Sequence, residues 1–189
     1  MQVPMVVTGL TIDPANNAPI VILRDDKSGR VLPIWIGVIE ASAIAFELEK
    51  VQLSRPMTHD LLRTAIEALG GAVQRVLIVD LRDNTYYAQV VLTQDERVIE
   101  IDARPSDAIA LALRVGAPIF CDSAVIEQAL ARKDELETAP STQGKPPVKV
   151  EANEVDPQVG PRPLMNVREG SMKELLEKLS PEDFGKYKM

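Results

Sequence analysis

Cysteine, histidine and tryptophan each occur once in the 189 residues, and aromatic residues make up only 4% of the chain. With Cys121 alone, neither a disulfide framework nor a paired-cysteine zinc site can form, and a reducing cytoplasm is the expected compartment. No apolar run reaches the roughly 18 uncharged residues of a membrane span, and the first residues lack the basic and apolar regions of a secretory signal. These absences predict a cytoplasmic protein that does not contact a membrane.

The chain also lacks an excess of positive charge, because its formal net charge is −7. Contacts with phosphates dominate non-specific affinity for nucleic acid, so an acidic chain is expected to bind it weakly. The exceptions are chains in which arginines cluster, or in which carboxylates hold the cations that meet a phosphate. A glycine-rich phosphate loop is absent as well, and we expect no organic cofactor.

Apolar stretches separated by turn residues predict two antiparallel meanders. The first meander comprises residues 5–12, 19–23 and 31–36, with Trp35 expected in the core. The second comprises residues 73–81, 85–93 and 98–102. Helical spacing covers 38–51, the stretch after Thr58, the stretch up to about Val115, and a last segment to about Arg132. The predicted class is α+β, with mixed, mostly antiparallel sheets and helices after each meander.

Composition divides the chain into three parts. Residues 1–135 form the predicted compact domain, and residues 136–170 form a proline-rich linker. Residues 171–189 begin with Ser171 and Glu174 in capping-box spacing, followed by leucines, which predicts a short amphipathic helix. Such a helix is too short to be stable alone and is expected to dock on another surface.

Two stretches share one pattern, in which Arg-Pro precedes a hydroxyl residue, an aspartate and an apolar helix. A helix start offers unpaired backbone N–H groups, which suit a phosphate. The predicted phosphate-binding residues are therefore Arg55, Thr58, Arg104 and Ser106. Carboxylates in or near these helix starts suit Mg²⁺ or Mn²⁺, with Asp60, Asp102 and Asp107 as predicted ligands. The predicted catalytic residues are Glu40, His59, Asp60 and Asp107, with the histidine transferring a proton.

A purely structural interpretation of the same residues remains open. Thr58 and Ser106 are common helix caps, and aspartates in a first helical turn commonly interact with the helix dipole. Each arginine can pair with a nearby aspartate. Tyr86 and Tyr87 are candidates for base stacking, although a strand directs one of the two inward.

Several ordered motifs together resemble the bifunctional nuclease domain family. The motifs are Leu32-Pro33-Ile34-Trp35-Ile36-Gly37 with Glu40, Arg55-Pro56-Met57-Thr58-His59-Asp60-Leu61-Leu62, Asp83-Asn84-Thr85-Tyr86-Tyr87-Ala88, Asp102-Ala103-Arg104-Pro105-Ser106-Asp107-Ala108-Ile109 and Gly116-Ala117-Pro118-Ile119-Phe120. The resemblance covers roughly residues 3–133. It implies a compact α+β domain, degradation of both DNA and RNA, and a homo-oligomer, for which we favour a dimer.

The sequence is therefore consistent with two functions. The first is a nuclease of low sequence specificity, assisted by a divalent metal, with nucleic acid as its substrate. The second is a non-enzymatic module that binds a phosphorylated ligand or a protein partner. If the predicted residues form a single site, Glu40, His59, Asp60, Arg104 and Asp107 must lie around one cleft.

Overall fold

The computed structural model describes residues 1–138 of the chain, with side chains described as far as Ala131. The predicted tail helix, and the predicted linker beyond residue 138, lie outside these residues. The elements are β1 Gln2–Ile12, β2 Pro19–Asp25, β3 Val31–Trp35, α1 Val38–Leu48, α2 Thr58–Ala68, β4 Gly71–Arg82, β5 Thr85–Gln94, β6 Arg97–Ala103, α3 Pro105–Val115, β7 Ile119–Asp122 and α4 Ser123–Thr138.

All seven strands form one continuous mixed sheet, in the order β3-β2-β1-β7-β4-β5-β6. The two predicted meanders are its two halves. Strand β7 joins them, since it pairs antiparallel with β1 and parallel with β4. The predicted α+β class is confirmed, and the meanders share a single sheet.

Helix α3 lies at the centre of the helical layer, in contact with α1, α2 and the strands β4 and β5. Its small and branched residues from Ala108 to Ala112 are all buried. They pack against alternate residues of the strands, such as Leu23, Ile34 and Ile78, which face the same core. The central position of α3 means that side chains at its two ends can reach both α1 and α2.

Two helix boundaries differ from those predicted. Helix α1 ends at Leu48 and not at Val51, because Lys50 adopts a left-handed conformation (φ 52°) and the N–H of Val51 bonds back to the carbonyl of Phe46. Helix α4 continues to Thr138, beyond the predicted end near Arg132.

The prediction that Trp35 lies in the core is wrong. Strand β3 is an edge strand of the sheet, and its core-facing residues are Leu32 and Ile34. Side chains alternate along a strand, so Trp35 points to the opposite face. It is 53% exposed, and its indole N–H donates a hydrogen bond to the Asp13 carboxylate at 3.0 Å.

One side of the domain exposes apolar residues. Helix α2 has no buried residue, and its Leu61 and Leu62 are exposed, as is Leu69 directly after it. Val98 and Ile101 of the edge strand β6 are exposed too. The predicted dimer stays a prediction. Within residues 1–138, no helix has the length and hydrophobicity to cross a membrane.

Candidate functional site

The first turns of helices α1, α2 and α3 lie next to one another. Glu40 is the third residue of α1, His59 is the second of α2, and Asp107 is the third of α3. Arg104 caps α3 in an extended conformation, and Pro105 follows as the first helical residue, where its missing N–H costs nothing. The predicted position of Glu40 and Asp107 in first helical turns is confirmed.

Four of these side chains form a connected chain of contacts, which we call the Arg104 cluster: Glu40, His59, Arg104 and Asp107. Arg104 donates from Nε and Nη2 to the two carboxylate oxygens of Asp107, at 2.6 and 3.1 Å. Its Nη1 donates to Oε1 of Glu40 at 2.8 Å. The Nε2 atom of His59 lies 3.1 Å from Oδ1 of Asp107. The cluster therefore ties the starts of three helices together.

The protonation states of the cluster follow from its geometry. Burial raises the pKa of Asp107, but the hydrogen bonds from Arg104 and His59 outweigh burial and hold it below its ordinary value of 3.8. The hydrogen bond to Asp107 raises the pKa of Arg104 further. An ionised carboxylate only accepts hydrogen bonds, so His59 donates from Nε2. Its Nδ1 is then the ring nitrogen that can take or give a proton.

Gly37 allows Glu40 to take up this position. The Glu40 carboxylate folds back over the residue before α1, and a Cβ atom at Gly37 would overlap Oε2. Any side chain at position 37 would therefore displace the Glu40 carboxylate from its contact with Arg104.

An open cleft of about 310 Å³ lies beside the cluster, and we call it the Trp35 cleft. Strand β3, the turn between β4 and β5, and the start of α3 enclose it. Its lining residues are Ile34, Trp35, Ile36, Gly37, Glu40, Asn84, Thr85, Tyr86, Arg104, Pro105 and Ser106. Arg104 belongs to both the cluster and the cleft, and 64% of its side chain is exposed. The cleft thus combines aromatic walls with one exposed guanidinium.

Asp60 does not join the Arg104 cluster, although it follows His59 in sequence. Successive residues on a helix point about 100° apart. Asp60 accepts the backbone N–H of Met57 at 2.9 Å and the Nε of Arg114 at 2.7 Å. Burial raises the pKa of Asp60, but these two hydrogen bonds lower it more, to below 3.8.

Beside Asp60 is a second opening of about 230 Å³, which we call the arginine cavity. It lies between the end of α1, the connection to α2, the first turns of α2 and the end of α3. Arg55, Arg63 and Arg114 line it together with Glu47 and Asp60. The predicted pair of Arg55 and Arg104 is therefore divided between two openings.

The predicted metal ligands are not brought together. Asp60 faces Arg114, Asp107 faces Arg104, and Asp102 is an exposed residue of β6. Residues 1–131 contain no group of three or more histidine, cysteine, aspartate or glutamate side chains arranged to hold a metal ion. The guanidinium of Arg104 stands where a cation would have to bind Glu40 and Asp107 together, so the cluster does not fit a metal in this arrangement. Whether the protein uses Mg²⁺ or Mn²⁺ stays a prediction.

The capping roles predicted for two hydroxyl residues are wrong. Helix α2 is capped at Met57, and Thr58 is its exposed first residue. Helix α3 is capped at Arg104, and Ser106 is a buried residue of its first turn that lines the Trp35 cleft. In both stretches the cap lies one or two residues earlier than the hydroxyl.

The sequence did not predict the roles of four residues at the two openings: Trp35 as a cleft residue, Gly37, Arg63 and Arg114. An edge position for the third strand would have signalled an exposed Trp35. An arginine in the last turn of a helix commonly interacts with the helix dipole, so the position of Arg114 in the sequence does not mark it as a cavity residue. No sequence signal marks Arg63.

Fold and site together define a small α+β domain with a charged cluster where three helices begin, beside an open cleft. The chain belongs to the bifunctional nuclease domain family, whose model matches residues 21–134. The resemblance seen in the motifs is thereby confirmed.

Relatives of two kinds share this domain. The chain is 40% identical over 179 residues to "Uncharacterized protein Rv1829" of Mycobacterium tuberculosis (strain H37Rv), covering 94% of this chain and 95% of that protein. It is 30% identical over 110 residues to "Bifunctional nuclease 1" of Oryza sativa subsp. indica. It is 28% identical over 110 residues to "Bifunctional nuclease 1" of Arabidopsis thaliana. Both plant matches cover 57% of this chain and only about a third of the plant protein (33% and 34%).

Proposed function

We propose that the protein is a nuclease of low sequence specificity that hydrolyses phosphodiester bonds of DNA and RNA at the Arg104 cluster, with the strand bound in the adjoining Trp35 cleft. Family membership supports a nuclease-type function. The observation that carries the proposal is the hydrogen-bonded chain from His59 through Asp107 to Arg104 at the edge of that cleft. This chain joins a group that can transfer protons to a group that can bind phosphate.

Arg104 is the proposed phosphate-binding residue of the cleft. A guanidinium has five N–H groups, and three of them are used by Asp107 and Glu40. The two that remain belong to an exposed side chain and can donate to phosphate oxygens. The two carboxylates fix the orientation of Arg104, so substrate binding does not have to restrict the conformation of this side chain further.

His59 is the proposed proton-transfer residue. Asp107 stays ionised at neutral pH and holds the imidazole with Nε2 protonated, which leaves Nδ1 as the base that takes a proton from water. The same ring can afterwards return a proton to the leaving oxygen. Positioned general acid–base groups contribute about 10²–10⁴-fold to a rate.

Trp35 is the proposed base-stacking residue. Stacking on an aromatic side chain tolerates every base, because each base has a π-face. A cleft that binds by stacking and by one phosphate contact therefore suits a substrate of low sequence specificity, and it does not require a basic surface.

The protein is proposed to act in the cytoplasm as a homo-oligomer, with a dimer favoured, and without an organic cofactor. Assistance by Mg²⁺ or Mn²⁺ is part of the nuclease proposal, and no step above depends on it. Cleavage assays should therefore include each metal and a chelator as separate conditions.

The test is cleavage of matched single-stranded DNA and RNA by the full chain and by a His59→Gln variant. We expect the substitution to lower kcat by about 100-fold, because glutamine cannot transfer the proton. KM should change little, since Arg104 and Trp35, the residues proposed to bind the substrate, are unchanged in this variant. Arg97→Gln, a change of an exposed residue on β6, is the matched control and should keep full activity.

Equal cleavage by the His59→Gln and unchanged proteins would refute the assigned role of His59. No cleavage by the unchanged protein under any metal condition would refute the nuclease assignment. Thermal melting of each variant separates loss of catalysis from loss of folding.

A non-enzymatic binding module is the second candidate. It is favoured by the internal pairing of the Arg104 cluster, in which the single arginine is already bound by two carboxylates. This candidate predicts quenching of Trp35 fluorescence by oligonucleotides without turnover. The readout is specific, because Trp35 is the single tryptophan of the chain.

A further inference from the structure

The arginine cavity differs in charge from the rest of this acidic chain. Three arginines line it, against the two carboxylates of Glu47 and Asp60. Glu47 already accepts a hydrogen bond from Lys50 at 2.6 Å. The lining therefore carries an excess of positive charge on a protein whose formal net charge is −7.

Two of the three arginines, Arg55 and Arg63, have fewer partners within the protein than Arg114. The Nε atom of Arg63 is buried and has no hydrogen-bond partner among the described residues. Arg55 is exposed and makes no ion pair within residues 1–131. Arg55 is therefore free to contact an anion in the cavity, and Arg63, which lines the same cavity, adds a second positive charge.

Arg114 gives the cavity a rigid wall. Its side chain is 3% exposed, and it donates to Asp60 and to the carbonyl of Ala110 at 2.7 and 2.9 Å. A guanidinium held in this way keeps its orientation without an external ligand. Arg55 and Arg63 would then supply the adaptable contacts.

The cavity lies within reach of a strand that occupies the Trp35 cleft. Asp107 of the Arg104 cluster and Arg114 of the cavity are seven residues apart on α3, which corresponds to about 10 Å along the helix. At about 3.4 Å of rise per nucleotide, this spans about three nucleotides of one strand. A single nucleotide is too short to contact both openings.

We propose that the arginine cavity is a second phosphate-binding site, in which Arg55, Arg63 and Arg114 bind a backbone phosphate of the strand whose scissile phosphate lies at Arg104. The proposal rests on the nuclease function proposed above. It predicts that the protein prefers strands of several nucleotides to dinucleotides. A free phosphorylated small molecule has the same chemistry and is the alternative source of the anion.

The experiment compares the full chain with an Arg55→Gln/Arg63→Gln double variant and with Arg97→Gln as a control for the loss of charge. A phosphorothioate-linked oligothymidylate of about 12 nucleotides, within the range of strand-binding sites, serves as a probe that resists cleavage. Its affinity is measured by fluorescence anisotropy. Thymidine dinucleotide binding is followed by Trp35 fluorescence, and inorganic phosphate is tested for thermal stabilisation.

We expect the double variant to bind the long probe about 10-fold more weakly, because it cannot form the charged hydrogen bonds to phosphate. The slope of log affinity against log salt should fall by about 0.7 for each phosphate that the variant no longer binds. Dinucleotide affinity should be unchanged. Arg97→Gln should change the long-probe affinity by less than about two-fold, since an exposed charge away from the strand is screened. Phosphate should stabilise the unchanged protein and not the double variant.

Unchanged long-probe affinity in the double variant would overturn the proposal and leave the nuclease assignment intact. If phosphate stabilisation were nevertheless abolished, the cavity would take a free phosphorylated ligand and not a strand. Failure of the unchanged protein to bind either oligonucleotide would contradict both proposals. If the double variant does not fold, Arg55→Gln alone, a change of an exposed residue, must show a weaker effect in the same direction.

Discussion

The Arg104 cluster and the arginine cavity contain the same residue types in different balance. In the Arg104 cluster, one arginine contacts two carboxylates and a histidine completes the chain. In the arginine cavity, three arginines share two carboxylates. The first arrangement positions its own groups, whereas the second leaves an excess of positive charge, on which the proposed phosphate site depends.

This difference shows that an arginine's role depends on what surrounds it. Arg104 is held by its partners and is exposed, Arg114 is held and buried, and Arg63 has a buried donor without a partner. The same Arg→Gln substitution is therefore expected to have three different effects on stability, which tests the comparison directly.

Arg114→Gln is expected to have the largest effect. The substitution removes a buried guanidinium and leaves Asp60, of which only 27% of the side chain is exposed, without its ion pair. Breaking such a pair from one side should lower the free energy of unfolding by about 2–3 kcal/mol. Urea denaturation measures this change. A loss below about 0.5 kcal/mol would mean that solvent already screens the pair.

Arg104→Gln and Arg63→Gln form a matched pair with a smaller expected effect. Removal of Arg104 brings the carboxylates of Glu40 and Asp107 together without a counter-charge, and we expect a loss of about 1 kcal/mol. Removal of Arg63 eliminates an unpartnered donor and should leave stability within about 0.5 kcal/mol of the unchanged protein. Denaturation of both variants in parallel provides the test, and equal losses would contradict the distinction between the two openings.

The pH dependence of stability should show the smallest effect. The folded state holds the pKa of Asp107 below 3.8, so the ionised carboxylate stabilises the fold above that pH, and this contribution is lost as the pH falls below it. The melting temperature of an Asp107→Asn variant should therefore fall less steeply between about pH 5 and about pH 2. Asp95→Asn, in an exposed turn, should follow the unchanged protein. If the melting temperatures of all three proteins fell equally with pH, the contacts of Asp107 with Arg104 and His59 would not stabilise its ionised form.

The sequence was sufficient to predict the elements of the fold. Both meanders, the four helices and the α+β class follow from periodicity and turn residues, which act locally, although α2 and α3 begin slightly earlier than their predicted caps. The order of strands does not follow in the same way. The four residues of β7 determine it, and nothing in their apolar pattern says that they lie between β1 and β4.

The candidate site was predictable only in part. His59 and Asp107 meet because α2 packs against α3, and the packing of two helices is a tertiary feature. The shared Arg-Pro pattern suggested one site, but Arg55 and Asp60 belong to the arginine cavity. Asp60 is separated from His59 by the rotation between successive helical residues, and Arg55 lies in the connection before α2. The sequence therefore suggested a single site for residues that the structure divides between two openings.

The position of β7 also has a consequence for folding order. Residues 119–122 pair with residues 2–5 and with residues 76–78, and they alone connect the two halves of the sheet. During synthesis, the strands of each meander can pair with one another. The two halves can join only after β7, the last of these seven strands, has been made. Contacts so distant in sequence slow folding, and until they form, β1 and β4 each present an unpaired edge to other chains.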